Sequence, residues 1–258
     1  MQYASLDGVI GPAEKARIPV TDDGLLRGDG VFEVARLYSG QPFALEQHLA
    51  RLQRSADNLR LSVDVEAVRS DAAELLKVVE RVDGVLRIVL TRGGCRLLLT
   101  EPLPQLPDSI RLGYVTYSPT RVLDGIKSLS YAANMLASRI ARERGFDEAL
   151  LITPHEHVLE APTASLFWVS DGKLLTPPLD EHILSSITRA MVLELFDVNE
   201  QACKPQDLAA ADEAFLVSSI REVMPVAAVE DHELEVNGPV TLEATARLRD
   251  HIAAQLAA

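Results

Sequence analysis

Lys127 lies in Asp124-Gly125-Ile126-Lys127-Ser128-Leu129-Ser130-Tyr131, where a glycine-containing turn leads into a helical pattern. Downstream come Glu160 in Val158-Leu159-Glu160-Ala161-Pro162-Thr163, then Ser185-Ser186-Ile187-Thr188-Arg189, then Val217-Ser218-Ser219-Ile220-Arg221. Upstream is Arg51 in His48-Leu49-Ala50-Arg51-Leu52. A neutral lysine amine attacks carbonyl carbon. A carboxylate can keep a ring nitrogen protonated. Hydroxyls at a helix start and an arginine fork can hold a phosphate. No one of these groups is diagnostic alone, but their order along one chain is a specific pattern.

Each residue also has a plain reading. A lysine at a helix start is commonly a solvated charge, and the chemical role requires desolvation or a neighbouring cation. The apolar flanks Ile126 and Leu129 are compatible with that. Glu160 can simply end a strand, Ser186 can be an ordinary N-cap, and Arg51 can be a surface helix arginine. Two further arginines sit at glycine turns, Arg27 before Gly28-Asp29-Gly30 and Arg92 before Gly93-Gly94. A guanidinium so placed can trap a carboxylate or be loop charge.

The elements that position these groups are legible as periodicities. Val31 to Tyr38 predicts a strand, Ser39-Gly40-Gln41-Pro42 a turn, and Phe43 to Leu45 the return arm of a hairpin. Leu49, Leu52, Ala56 and Leu59 mark a helix over 46–61, and a second helix is predicted over 65–82. Strands are predicted over 85–90 and 110–117. Leu129, Ala133, Leu136 and Ile140 mark one face of a helix that Gly145 stops. Strands over 148–153, 165–169, 173–176 and 212–218 follow, with helices at 186–196 and 241–257. The expected division is a small N-terminal domain over 1–118, a linker over 119–124 and a larger domain over 125–258.

Composition bounds the class. The chain has 258 residues, 47% hydrophobic and 24% charged, as in soluble globular proteins. No stretch approaches the roughly 18 unbroken apolar residues of a membrane helix. The first residues carry neither a basic nor an apolar export segment, so a cytoplasmic location is expected. Two cysteines, Cys95 and Cys203, give neither a disulfide framework nor zinc spacing, so no metal is expected. A net charge of -13 argues against a nucleic-acid partner.

Taken together, the motifs resemble those of the fold-type IV, or class IV, aminotransferases. The resemblance spans nearly the whole chain. It is carried by Gly28-Asp29-Gly30-Val31-Phe32-Glu33, His48-x-x-Arg51-Leu52, Ile126-Lys127-Ser128-Leu129, Gly145-Phe146-Asp147-Glu148-Ala149, Glu160 with Leu166-Phe167-Trp168-Val169, Ile187-Thr188-Arg189, and Glu222-Val223-Met224-Pro225-Val226. It implies a two-domain α/β (α+β) fold, with a small N-terminal α/β domain and a larger pseudo-barrel domain. It also implies pyridoxal 5′-phosphate between the domains, in a homodimer. Lys127 would be the Schiff-base lysine and Glu160 the partner of the pyridine nitrogen. Arg51, Ile187, Thr188, Ser218 and Ser219 would grip phosphate, and Leu184 would pack on the ring. Arg27, Arg92, Phe32 and Ile220 would meet the substrate. The chain departs from the family twice, with Ser186 where glycine is frequent and Ser165 where asparagine is usual.

Within the family, branched-chain enzymes usually open the first motif with Tyr-Gly and close it with Gly-x-Arg. Here it runs from Arg27 to Val34-Ala35-Arg36, more like D-amino-acid transaminase or aminodeoxychorismate lyase. Lyases often place threonine where Val34 stands. The usual D-amino-acid enzyme has an Arg-x-His pair after its Thr-Arg-Gly turn, and Arg96-Leu97-Leu98 lacks the histidine. A less usual D-specific subgroup places arginines near Arg27 and Arg92. The resemblance therefore implies an amino donor that is a D-amino acid or an (R)-primary amine, with a keto acid acceptor. Aminodeoxychorismate lyase, branched-chain aminotransferase and a non-catalytic cofactor-binding descendant are the alternatives.

Overall fold

The computed structural model describes residues 2–257. In chain order its strands are β1 (Tyr3–Leu6), β2 (Val9–Pro12), β3 (Gly30–Tyr38), β4 (Gln41–Pro42), β5 (Gly84–Thr91), β6 (Arg96–Pro102), β7 (Ile110–Thr116), β8 (Glu148–Ile152), β9 (Ser165–Ser170), β10 (Lys173–Thr176), β11 (Val198–Glu200), β12 (Glu213–Ser218), β13 (Glu222–Val229) and β14 (His232–Glu233). The helices are α1 (Asp23–Arg27), α2 (Leu45–Asn58), α3 (Val65–Val78), α4 (Ala132–Glu143), α5 (Ile187–Leu195), α6 (Pro205–Ala209) and α7 (Pro239–Ala257).

The chain divides into two compact units. One holds the residues up to Pro104 together with Gly125–Tyr131, and the other holds Gln105–Asp124 together with the residues from Ala132 onward. This differs from the boundary expected near 118. β7 pairs in parallel with β8 and β13, so it belongs to the second unit. The stretch around Lys127 pairs with β3 and belongs to the first. Both assignments rest on pairing between residues far apart in sequence.

The first unit is one antiparallel sheet, ordered β2-β1-β6-β5-β3-β4, with α2 and α3 packed on it. Its core joins Leu49, Leu52 and Ala56 of α2 to Val68, Ala72 and Leu75 of α3 and to Leu86, Ile88 and Leu98 of the sheet. The hairpin expected after Tyr38 is reduced to Gln41–Pro42. Phe43 bonds back to Arg36, and Leu45 already starts α2, entered through Ala44 at φ 54°.

The second unit is a sheet ordered β11-β10-β9-β12-β13-β7-β8, with β14 beside β13. Val158 bridges Ile152 at the β8 edge and Cys203 beyond β11, which closes the sheet toward the expected barrel. Trp168, Phe167 and Phe215 are fully buried in this unit, and the last two rings stack. The α4 helix begins at Ala132 and buries Ala137, Ser138 and Ala141. Leu136, placed on its inner face from periodicity, is 52% exposed.

Glu213 shows how this unit anchors its last helix. Its buried carboxylate accepts the backbone N–H groups of Val240 at 3.1 Å and Thr241 at 2.7 Å, capping α7. Glu213→Ala leaves both donors stranded. The expected loss is about 2–3 kcal/mol of unfolding free energy in urea titrations. A loss below about 0.5 kcal/mol would show that the cap is not needed.

Candidate active site

Lys127 sits on an extended segment. Its carbonyl accepts the N–H of Phe32, Leu129 donates to the Gly30 carbonyl, and Ser128 bridges Val31. The helix start expected there lies later, at Ala132. Gly30 permits this close approach. A Cβ at Gly30 would overlap the Leu90 carbonyl and the Leu129 side chain. The Lys127 N–H also donates to Ser55 Oγ of α2 at 3.2 Å.

The amine of Lys127 lies over the Phe32 ring, 4.4 Å from its centroid, and 5.9 Å from that of Tyr131. The two rings meet edge to face at 5.3 Å. The sequence did not single out Tyr131, although it follows the lysine by four positions and carries both a ring and a hydroxyl. Of the five lysines, Lys127 alone is not exposed.

α2 carries a second buried stripe beside its apolar one, formed by His48, Arg51 and Ser55. The spacing of three and four residues puts them on one face. Ser55 takes the Lys127 N–H, while the other two, His48 and Arg51, meet Glu33 of β3, which is fully buried. Arg51 reaches it through Nε and Nη2, each at 2.7 Å, and His48 Nδ1 is 2.7 Å away. Burial alone would raise the Glu33 pKa. The hydrogen bonds from Arg51 and His48 outweigh burial and hold it down to about 2. Burial pushes His48 below its ordinary value despite the attraction of Glu33, so its Nδ1–H donates as a neutral ring.

Both shifts make the fold acid-sensitive. The unfolded chain takes up a proton at His48 below 6.5, its ordinary value, before the folded chain does. Glu33 adds stability that is complete above 4.5 and is lost as pH falls toward about 2. The melting temperature is expected to fall in both ranges, and His48→Gln is expected to flatten the upper one. An unchanged slope in that variant would contradict a buried neutral His48.

The arginines at the glycine turns have different surroundings. The α1 helix ends at Gly28, whose φ of 68° glycine tolerates, and Arg27 pairs with Asp23 while its side chain stays 68% exposed. Arg92 is engaged at all three nitrogens, by Asp29 Oδ2 at 2.6 Å and by the Leu59 and Arg60 carbonyls at 2.9 and 3.1 Å. It clamps the end of α2 to the turn before β3, and a substrate role would require breaking those contacts. Arg96 pairs with Asp71 at 2.7 Å.

In the second unit, Glu160 lies on a segment that pairs with the end of β8 through Leu151. Its Oε1 accepts the N–H of Leu184 at 2.9 Å. Burial, and then the charge of Glu160, raise the Tyr117 pKa, so the phenol stays neutral near the carboxylate. The α5 helix is capped by Ser186, whose side chain accepts the N–H of Arg189. The N–H groups of Ile187 and Thr188 have no intrahelical acceptor by helix geometry. α5 packs on β12, which ends at Ser218, and Ser218 Oγ accepts the N–H of Arg221. Ser219 and Ile220 form the following turn. Ser165 pairs with Val217, and its Oγ is buried with no hydrogen-bond partner among the described residues.

Each unit by itself carries groups of a kind that pyridoxal 5′-phosphate uses: the first a lysine amine that is not exposed, the second a helix start with nearby hydroxyls and the carboxylate of Glu160. Among the described residues no cluster of metal-binding side chains occurs, and no helix is long and apolar enough to cross a membrane.

Residues 30–229 match the model of the class IV aminotransferases. A Methanocaldococcus jannaschii protein, provisionally assigned as a branched-chain-amino-acid aminotransferase, is 33% identical over 95% of this chain and 93% of its own. The D-alanine aminotransferase of Bacillus licheniformis is 31% identical over 93% of each. A fold IV transaminase of Curtobacterium pusillum superposes with a TM-score of 0.85 at 28% identity, over 96% of this chain and 99% of that one. The chain belongs to the class IV aminotransferase family. It is a transaminase that depends on pyridoxal 5′-phosphate.

Proposed function

We propose that this transaminase takes its amino group from a D-amino acid or an (R)-primary amine and delivers it to a 2-keto acid. The observation that carries the reading is that Lys127, the one lysine of five that is not exposed, is bonded to the start of β3, while the exposed Arg27 ends the short helix just before that strand. The full-length likeness to a D-alanine aminotransferase supports it.

When bound, the cofactor supplies an electrophilic carbon and a ring that stabilises negative charge at the substrate carbon. The chain's residues do the rest. Lys127 binds through its amine and then carries the proton to and from the substrate Cα. Phe32, with Tyr131 edge-on beside it, offers that amine an aromatic face. Glu160 keeps a positive charge opposite itself, with Leu184 fixed against it. Arg51, Ile187, Thr188, Ser218 and Ser219 hold the phosphate. Arg27 meets the substrate carboxylate, with Phe32 and Ile220 flanking the substrate. Arg92 holds the turn that presents Arg27.

Incubation with D-alanine and 2-oxoglutarate should yield pyruvate and glutamate, read by chiral chromatography. A second reading, a branched-chain L-amino-acid donor, is favoured by the likeness to the Methanocaldococcus jannaschii protein. Transfer from L-leucine but from no D-amino acid or (R)-amine would select it. Release of 4-aminobenzoate from aminodeoxychorismate would instead mark a lyase.

A further inference from the structure

Glu33 is fully buried, and its partner Arg51 is itself buried and is the residue read as holding the phosphate, so the carboxylate both balances that charge and sets where the guanidinium lies. Here the carboxylate takes Nε and Nη2 of the guanidinium, each at 2.7 Å. A two-point fork of this kind fixes the plane of the group, and hence the direction of Nη1. His48 Nδ1 lies 2.7 Å from Oε2 of the same carboxylate, the oxygen that also takes Arg51 Nη2, so Glu33 has a second anchor besides the arginine. Glu33 also faces Arg51 across two elements of one unit, β3 and α2, so its geometry does not depend on a mobile loop.

We propose that Glu33 is a positioning residue for cofactor binding, aiming Arg51 at the phosphate while His48 locks the carboxylate in place. The inference rests on the reading of Arg51 as a phosphate ligand. It predicts an effect confined to the phosphate end. Glutamine at position 33 keeps the shape but offers one acceptor oxygen, and its amide N–H groups then face the arginine's own donors.

The test compares two probes on the cofactor-free protein, pyridoxal 5′-phosphate and pyridoxal, which lacks the phosphate. Binding is followed by absorbance, without reference to turnover. In Glu33→Gln the affinity for pyridoxal 5′-phosphate is expected to fall ~10–100-fold, the range for a hydrogen bond to a charged group. The affinity for pyridoxal should change less than about 3-fold on the same scale. Leaving Arg51 buried beside a neutral partner can prevent folding, so Glu33→Asp is measured in parallel. It keeps the charge but withdraws the acceptor by one methylene, and the ratio of the two affinities is expected to fall about 5–10-fold. Equal losses for both probes in either folded variant, or no loss in either, would overturn the proposal. A wild-type protein that binds both probes equally would remove the phosphate reading of Arg51 itself, which is a separate failure.

Discussion

Replacing Lys127 by alanine is expected to lower amino transfer by at least about 10⁴-fold, the loss of a nucleophile that is also the proton carrier. The protein should still fold. Lys127 contributes to its unit through its backbone, by the Phe32 N–H and the Ser55 hydroxyl, and alanine retains both contacts. Lys127→Arg serves as the control, since it keeps a cation over the Phe32 ring without a nucleophilic amine. Borohydride treatment of the wild-type protein carrying its cofactor provides an independent check. The added mass should map to the peptide containing Lys127 and to none holding Lys15, Lys77, Lys173 or Lys204, all exposed. Turnover by the alanine variant within about tenfold of wild type would defeat the assignment, and so would a label on another lysine.

The geometry around Lys127 also marks where sequence reasoning stops. The types and order of Arg51, Lys127, Glu160, Thr188 and Ser218 can be read in the sequence as groups able to do chemistry, but their places in the fold differ: Thr188 and Ser218 lie at element ends, whereas Arg51 is in the middle of α2. The helical spacing of Leu49, Leu52 and Ala56 correctly placed α2. What periodicity did not reveal is that the same helix turns His48, Arg51 and Ser55 inward as well. A polar stripe reads as solvent-facing until Glu33 arrives from β3, and that partner is fixed by tertiary pairing. The local surroundings of Lys127 failed for a similar reason. The apolar rhythm that starts at Leu129 suggests a helix. Yet residues 127–129 are claimed by β3, whose hydrogen bonds compensate for the shortened helix. Strand β7 read correctly as a strand and incorrectly as part of the first domain, because parallel partners leave no local trace. Arg92 looked like a free loop cation since its acceptors, the Leu59 and Arg60 carbonyls, lie more than thirty residues away.

Glu160→Gln is expected to lower kcat by about 10²–10³-fold, the typical effect of removing one preorganised electrostatic group. KM and cofactor affinity should change far less. Glutamine can still accept the Leu184 N–H, so the 2.9 Å contact and the course of that loop survive. Only the charge is removed, and with it the preference for a protonated ring nitrogen. Tyr117 reports on that change directly. Burial is the larger cause of its raised pKa and the Glu160 carboxylate the second. Spectrophotometric titration should therefore find the phenol easier to ionise in the variant, though still above its ordinary value. Glu160→Ala separates charge from anchoring, because it loses the Leu184 contact as well. If glutamine preserves kcat while alanine depresses it, Glu160 serves to fix the loop before α5, and its assignment to the ring nitrogen fails. If both variants lose kcat alike while Tyr117 shifts in both, the negative charge is what the reaction requires.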